Sequence, residues 1–276
     1  MSFAGSLEDP PQQDKQDDDN VRNYEEVMQK QKQQIPFLRI LVLLVLWLIL
    51  SGCLWNRGQR FEDITTRTPL LKCDYLILGF LGGRDSWNDE RQGVRKLALR
   101  LRAENFPGVH VETLENKKRR LAIELIQKAF DYDSNGRLDS SEKQSARIVL
   151  YGQSFGGAAV VKLARELDEL GVPVLLTVQI DSVGKHDAVI PPNVERAANL
   201  YQRSGIFIRG EPQIRAQDQA STTIIGNFQF EYGDQKINIS NVPWYKKMFR
   251  VAHTKMDRDP RVWLKVQELI LATVYR

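Results

Sequence analysis

The chemistry of this chain is most concentrated at Gly152-Gln153-Ser154-Phe155-Gly156-Gly157, a G-x-S-x-G sequence. It follows the apolar run Ile148-Val149-Leu150-Tyr151 and precedes the helical stretch Ala158 to Leu170. That context gives the glycines a purpose. They permit a sharp strand-to-helix turn that projects the Ser154 hydroxyl outward. The helix that follows aims its amino end at Ser154, where developing negative charge is favoured. A serine so placed is suited to nucleophilic attack on an acyl carbon. The alternative is a glycine-rich strand–helix turn with no chemistry.

The elements that position this turn alternate between two periods. Asp74 to Phe80, Val109 to Thr113, Ile148 to Tyr151 and Val172 to Ile180 read as strands, and Ile206-Phe207-Ile208 is strand-like. Asn88 to Glu104 reads as a helix, with Val94, Leu97, Ala98 and Leu101 spaced three to four apart. Leu121 to Phe130 and Ala158 to Leu170 read the same way, Val194 to Tyr201 looks helical, and Pro260 to Tyr275 closes the chain with proline in its first turn. Strands alternating with helices predict an α/β class, a doubly wound and mostly parallel sheet. Residues 211–250 fit neither period and read as a lid or an insertion.

With the elbow in that setting, the sequence resembles the α/β-hydrolase superfamily over about residues 72–276. The resemblance implies a triad in the chain order Ser, acid, His. Of the three histidines, His110 precedes the serine, His186 follows the best acid too soon, and His253 lies just before the last helix. His253 is therefore the expected base. The expected acid is Asp181, directly after Val174 to Ile180, because strand carboxyl ends face the ligand crevice of such sheets. An acid after the strand next to the nucleophile strand resembles pancreatic-type lipases. Its rival is Glu211, after Ile206 to Gly210, and the helix-cap role of an Asp at 181 is the bland reading. The oxyanion donors implied are the amides of Phe155 and of Leu81, in the loop Phe80-Leu81-Gly82-Gly83.

A second constellation runs from Asp131 to Glu142 and fits D-x-[DN]-x-[DN]-G-x5-E at every fixed position. It resembles an EF-hand calcium loop. The resemblance implies side-chain oxygens from Asp131, Asp133, Asn135 and Asp139, the Arg137 carbonyl, a bidentate Glu142, and a sharp turn at Gly136. The exiting helix has little room before the strand near Arg147, and there is no second loop to pair with. A structural Ca2+ site is thus expected rather than a sensor; the other reading is a metal-free acidic turn.

The chain has 276 residues, 42% hydrophobic and 27% charged, which excludes disorder over its whole length and a multi-span membrane protein. Two cysteines exclude a disulfide-dense scaffold and a CxxC zinc module. Net charge is +4, but residues 1–35 hold eight acids and four bases, which leaves the remainder at +8. That first segment is polar and reads as a disordered tail. An uninterrupted apolar run, Ile40 to Leu50, follows. It is short for a spanning helix and suits a signal core.

The run ends at Leu50-Ser51-Gly52-Cys53, which resembles the lipobox of bacterial lipoproteins. That implies lipidation of the Cys53 thiol and cleavage just before it. The rival is an uncleaved signal anchor over residues 36–55. A start at Met28 would give a basic leader, with Lys30, Lys32 and Arg39 ahead of the core. Either way the positive flank keeps the amino end cytoplasmic and puts residues from about 56 onward outside, on the periplasmic side if the source is bacterial. Cys73 opens an apolar strand and reads as a small buried hydrophobe.

Lys117-Lys118-Arg119-Arg120 is a basic run at a helix start, most simply a solvated face, although weak attraction to anionic headgroups is conceivable. No aromatic-interleaved basic stripe supports nucleic-acid binding. Asn238-Ile239-Ser240 is a glycosylation sequon, relevant only in a eukaryotic secretory pathway. Two functions are expected. One is a membrane-tethered serine hydrolase of an ester, thioester or lipid acyl bond, needing no cofactor for catalysis. The other is a non-catalytic α/β-hydrolase-like protein of the cell envelope that binds calcium or a partner.

Overall fold

Seven-residue strands with six residues buried, such as Tyr75–Leu81, Arg147–Gln153 and Val174–Ile180, need cover on both faces, and that requirement organises the molecule. A computed structural model describes residues 58–205, 208–233, 236–240, 242 and 251–276. Gly58–Arg276 forms one compact unit. The tail, the apolar run, Cys53 and Ile206-Phe207 lie outside the described residues, as do residues 243–250. Among the described residues no helix is long and apolar enough to cross a membrane.

The main sheet holds β1 (Tyr75–Leu81), β2 (Val109–Glu115), β3 (Arg147–Gln153), β4 (Val174–Ile180), β6 (Val194–Gln202) and β8 (Thr223–Phe230). Their spatial order is β2-β1-β3-β4-β6-β8, and every ladder is parallel. Two short strands, β5 (Val189–Ile190) and β7 (Arg215–Ala216), pair separately. The helices are α1 (Gly93–Ala103), α2 (Arg119–Phe130), α3 (Ser140–Ser145), α4 (Phe155–Glu169), α5 (Val251–Arg258) and α6 (Pro260–Val274).

Alternation along the strands splits the core in two. Leu76, Leu78 and Phe80 of β1 pack with Leu125 and Ile126 of α2 and Val160 and Leu163 of α4. Ile77 and Leu81 of the same strand face Leu97 and Leu101 of α1 and Val266 and Ile270 of α6. The period of two therefore feeds helices on both faces, as an α/β sheet of parallel strands requires. Strand order reverses between β1 and β3, where the crossover from β1 runs outward to β2 and the next returns. The crevice at such a switch point is the preferred ligand site of open α/β sheets.

Three expectations change. Val194 to Tyr201 is not a helix but β6, hydrogen-bonded between β4 and β8. Within the stretch read as a lid or insertion, Thr223–Phe230 is an edge strand of the main sheet. Cys73 is exposed and sits at φ 75 in the turn ahead of β1.

Candidate active site

β3 runs into α4 with Ser154 as the single residue between them. The turn is so tight that Ser154 adopts φ 60, ψ −126, a region that costs a non-glycine residue about 1–3 kcal/mol. Its main chain is pinned from two sides: Ser154 N–H donates to the Ile180 carbonyl at 2.9 Å, and its own carbonyl accepts from Gly157 N–H at 3.0 Å. The flanking glycines are needed for close approach. A Cβ at Gly152 would lie 2.4 Å from the Gly156 carbonyl oxygen, and one at Gly156 would lie 2.0 Å from that of Phe80. Strain of this size persists only where the surrounding structure holds it.

Asp181 follows β4 directly, is fully buried, and stands at φ 43. Its Oδ2 accepts from His253 Nδ1 at 2.6 Å and from Gln202 Nε2 at 3.0 Å. A carboxylate at Nδ1 fixes the proton there, so Nε2 of His253 carries the lone pair. His253 lies within α5, one helix earlier than the closing α6, rather than in a loop. Its Nε2 accepts from Gln153 Nε2 at 3.2 Å. Among the described residues the Ser154 hydroxyl makes no hydrogen bond.

Ser154 and His253 open onto one cavity of about 870 Å³, walled also by Gly82, Gly83, Asp257 and Arg258. Asp257 is buried there. Burial pushes its carboxyl up, while the Gly93 N–H it accepts at 3.1 Å and nearby Arg258 pull the other way. The rival acid Glu211 lies elsewhere: it lines a neighbouring cavity, and its Oε1 accepts from Gln213 N–H at 3.5 Å, with no contact to His253. His110 pairs with Asp74 at 2.8 Å, and His186 lies in the exposed turn after β4.

Of the expected oxyanion donors, Phe155 is the first residue of α4, where backbone N–H groups have no intrahelical partner. Leu81, whose amide is the second expected donor, ends β1. It is wholly buried in the core and does not line the cavity; Gly82 and Gly83 do. Gly82 passes so close that a Cβ on it would sit 2.9 Å from Ser154 Cβ. Asn116 fixes this loop, donating to the carbonyls of Leu81 at 3.2 Å and Gly83 at 2.7 Å.

The acidic loop brings three of its expected carboxylate ligands together. Carboxylate oxygens of Asp131, Asp133 and Glu142 lie within 4.8 Å of one another. Gly136 makes the expected turn at φ 82. Asp139 instead caps α3, accepting from Ser141 and Glu142 N–H at 2.7 and 2.8 Å. Glu142 closes that capping box by accepting from Asp139 N–H at 2.9 Å, and its other oxygen accepts from Tyr132 N–H at 2.8 Å. Asn135 is engaged within the loop, its Oδ1 accepting from Arg137 N–H at 2.9 Å. The carboxylate trio fits a hard cation.

Sequence reasoning missed Gln153, Gln202, Asp257 and Arg258. The first sits beside the nucleophile in the motif and could have been weighed there. The other three are ordinary polar residues until the fold gathers them. Cys53 lies outside the described residues. Compared with protein-family models and with curated proteins, the chain matches none.

Proposed function

We propose that the chain is a serine hydrolase on an α/β-hydrolase fold that cleaves an ester, thioester or lipid acyl bond. The observation that carries this reading is the 2.6 Å bond from His253 Nδ1 to Asp181, with His253 on the cavity where the strained Ser154 stands. Ser154 Oγ attacks the carbonyl carbon as His253 Nε2 takes the hydroxyl proton. Asp181 holds the ring and stabilises the imidazolium. The tetrahedral oxyanion is met by the Phe155 amide and by the loop at Gly82. Collapse expels the alcohol or thiol, which leaves with the proton from His253. Water then attacks the acyl-serine by the same exchange and regenerates Ser154.

The apolar run and Leu50-Ser51-Gly52-Cys53 support tethering to a membrane, with the hydrolase body on the extracytoplasmic side. Asp131, Asp133 and Glu142 support a structural Ca2+ site, which would fix the chain entering β3. A fluorophosphonate probe tests the central claim. Wild type should be labelled at Ser154 and Ser154→Ala should not. No labelling of well-folded wild type would favour the binding-protein reading instead.

A further inference from the structure

The cavity at Ser154 does not end at Phe155. That ring is 50% exposed, and a second cavity of about 790 Å³ lies past it. The two share Asn116, Lys117 and Phe155 in their walls. They differ in charge. The first mixes Arg84, Arg91, Lys117 and Arg258 with Asp85, Asp89 and Asp257. The second gathers six cations, Lys117, Arg119, Lys162, Lys185, Arg203 and Arg209, against the carboxylates of Asp187 and Glu211 alone.

Those two acids offset only part of the charge of the six. Asp187 is buried and accepts from Ser182 Oγ at 2.5 Å, and Glu211 Oε1 is turned to its own loop. Arg119 pairs with Glu166 at 2.9 Å, and Arg209 Nε donates to the Gly205 carbonyl. Lys117, Lys162, Lys185 and Arg203 have no partner among the described residues. They come from four separate places: the connection after β2, helix α4, and the loops after β4 and β6. These four side chains are exposed, and lining one concavity they give it a positive potential that attracts an anion. The amino end of α4 at Phe155 adds a positive potential of the same sign.

We propose that this lobe binds a phosphate group on the substrate, on the side of the scissile bond that extends past Phe155. The inference rests on the hydrolase reading for its use, but not for the anion site itself. Lys162 lies seven residues along α4 from Phe155, about two helical turns or ~10 Å. Lysines suit a phosphate as point charges. The same chemistry is presented by a soluble phosphorylated ester and by an anionic phospholipid headgroup.

The test uses the full chain in mild detergent and two matched substrate pairs. In the soluble arm, 1-butyrylglycerol is compared with its 3-phosphate. In the lipid arm, 1-oleoylglycerol is compared with oleoyl lysophosphatidate, both in phosphatidylcholine vesicles. The phosphate should raise kcat/KM at least tenfold, mainly through KM, in at least one arm. Preference in the soluble arm identifies a soluble source; preference in the vesicle arm alone identifies a headgroup. Lys162→Glu with Lys185→Glu should bring the ratio of phosphorylated to neutral substrate down at least tenfold, and the milder Lys162→Gln with Lys185→Gln should lower it in the same direction. Equal or reversed preference in both arms overturns the proposal. Calorimetry with pyrophosphate separates the two claims. Binding that the double variants lose, in a protein whose Ser154 is never labelled, keeps the anion site and removes the hydrolase; no binding by wild type removes the anion site whatever Ser154 does.

Discussion

Gln153 Nε2 lies 3.2 Å from His253 Nε2, so the nitrogen to which the proposed mechanism gives the Ser154 proton already accepts a hydrogen bond from its neighbour. The opposite ring nitrogen is bound to Asp181, which leaves Nε2 as the acceptor. On the proposed mechanism Gln153 competes with Ser154 for the base and releases the ring as the substrate reacts. Gln153→Glu reverses the sense of this contact. A carboxylate cannot donate to the lone pair, and it favours the imidazolium. The acidic limb of kcat/KM should move to higher pH in this variant, with activity recovered as pH rises. An unchanged pH profile would show that Gln153 only fills space.

Asp181→Asn should lower turnover by on the order of 10⁴, since an amide at this place permits the wrong imidazole tautomer. Gln202 would still donate to the remaining side-chain oxygen, so the fold should survive. Glu211→Gln, in the neighbouring cavity, is the comparison. Steady-state rates on a neutral ester decide it. A large loss with Glu211→Gln and a small one with Asp181→Asn would move the acid one strand later.

Ser154, Asp181 and His253 were legible because their chemistry restricts where they stand. A serine between a strand and a glycine pair, an acid at a strand end and a late histidine leave few choices in a chain with three histidines. β6 was not legible because it is buried on both faces. Val194 and Ala197 feed one core, and Ala198 and Leu200 the other. Read as a line of letters, the two sets merge into helical spacing, and alanine does nothing to correct the impression. β8 was missed for a different reason. Gly226 and Asn227 interrupt its centre, and the register slips by one residue between its pairings with Ala197 and Ala198. The close pass of Gly82 over Ser154 and the burial of the Leu81 side chain depend on packing, which the order of letters in Phe80-Leu81-Gly82-Gly83 does not carry.

Asp257 supplies a stability prediction with a definite sign. Its folded pKa is raised, first by burial, so the folded protein binds a proton there at pH values where the unfolded chain has lost it. Stability is thus fully present below the ordinary carboxylate value, about 4, and falls as pH rises through the window up to the raised value. Asp257→Asn keeps an oxygen for the Gly93 N–H and removes the charge. The variant should be more stable than wild type in urea at pH 7, and the gap should close by about pH 4. A gap that is the same at both pH values would mean the carboxyl is not shifted in the direction given.

Calcium is the last prediction, and the loop geometry decides how to test it. Asp131, Asp133 and Glu142 hold like charges within 4.8 Å, and a bound divalent cation would remove that repulsion. Calcium should then stabilise the fold by RT ln(1 + [L]/Kd), about 2.7 kcal/mol at a hundredfold excess over Kd. Glu142→Gln is a poor control, because both carboxylate oxygens also hold backbone N–H groups of Tyr132 and Asp139. The change would loosen the start of α3 with or without metal. Asp133 is exposed, and its carboxylate bonds only Asn135, whose backbone N–H reaches Oδ1 at 3.1 Å and whose Nδ2 reaches Oδ2 at 2.7 Å. Asp133→Asn retains Oδ1 as an acceptor for the Asn135 N–H, gives up only the exposed bond from Asn135 Nδ2, and loses a ligand charge. Thermal melting in chelator should be nearly the same for wild type and Asp133→Asn, and millimolar calcium should raise wild type well above the variant. Melting of wild type that ignores calcium would reduce the loop to a capped acidic turn, leaving the assignment of Ser154, Asp181 and His253 untouched, since none of them belongs to it.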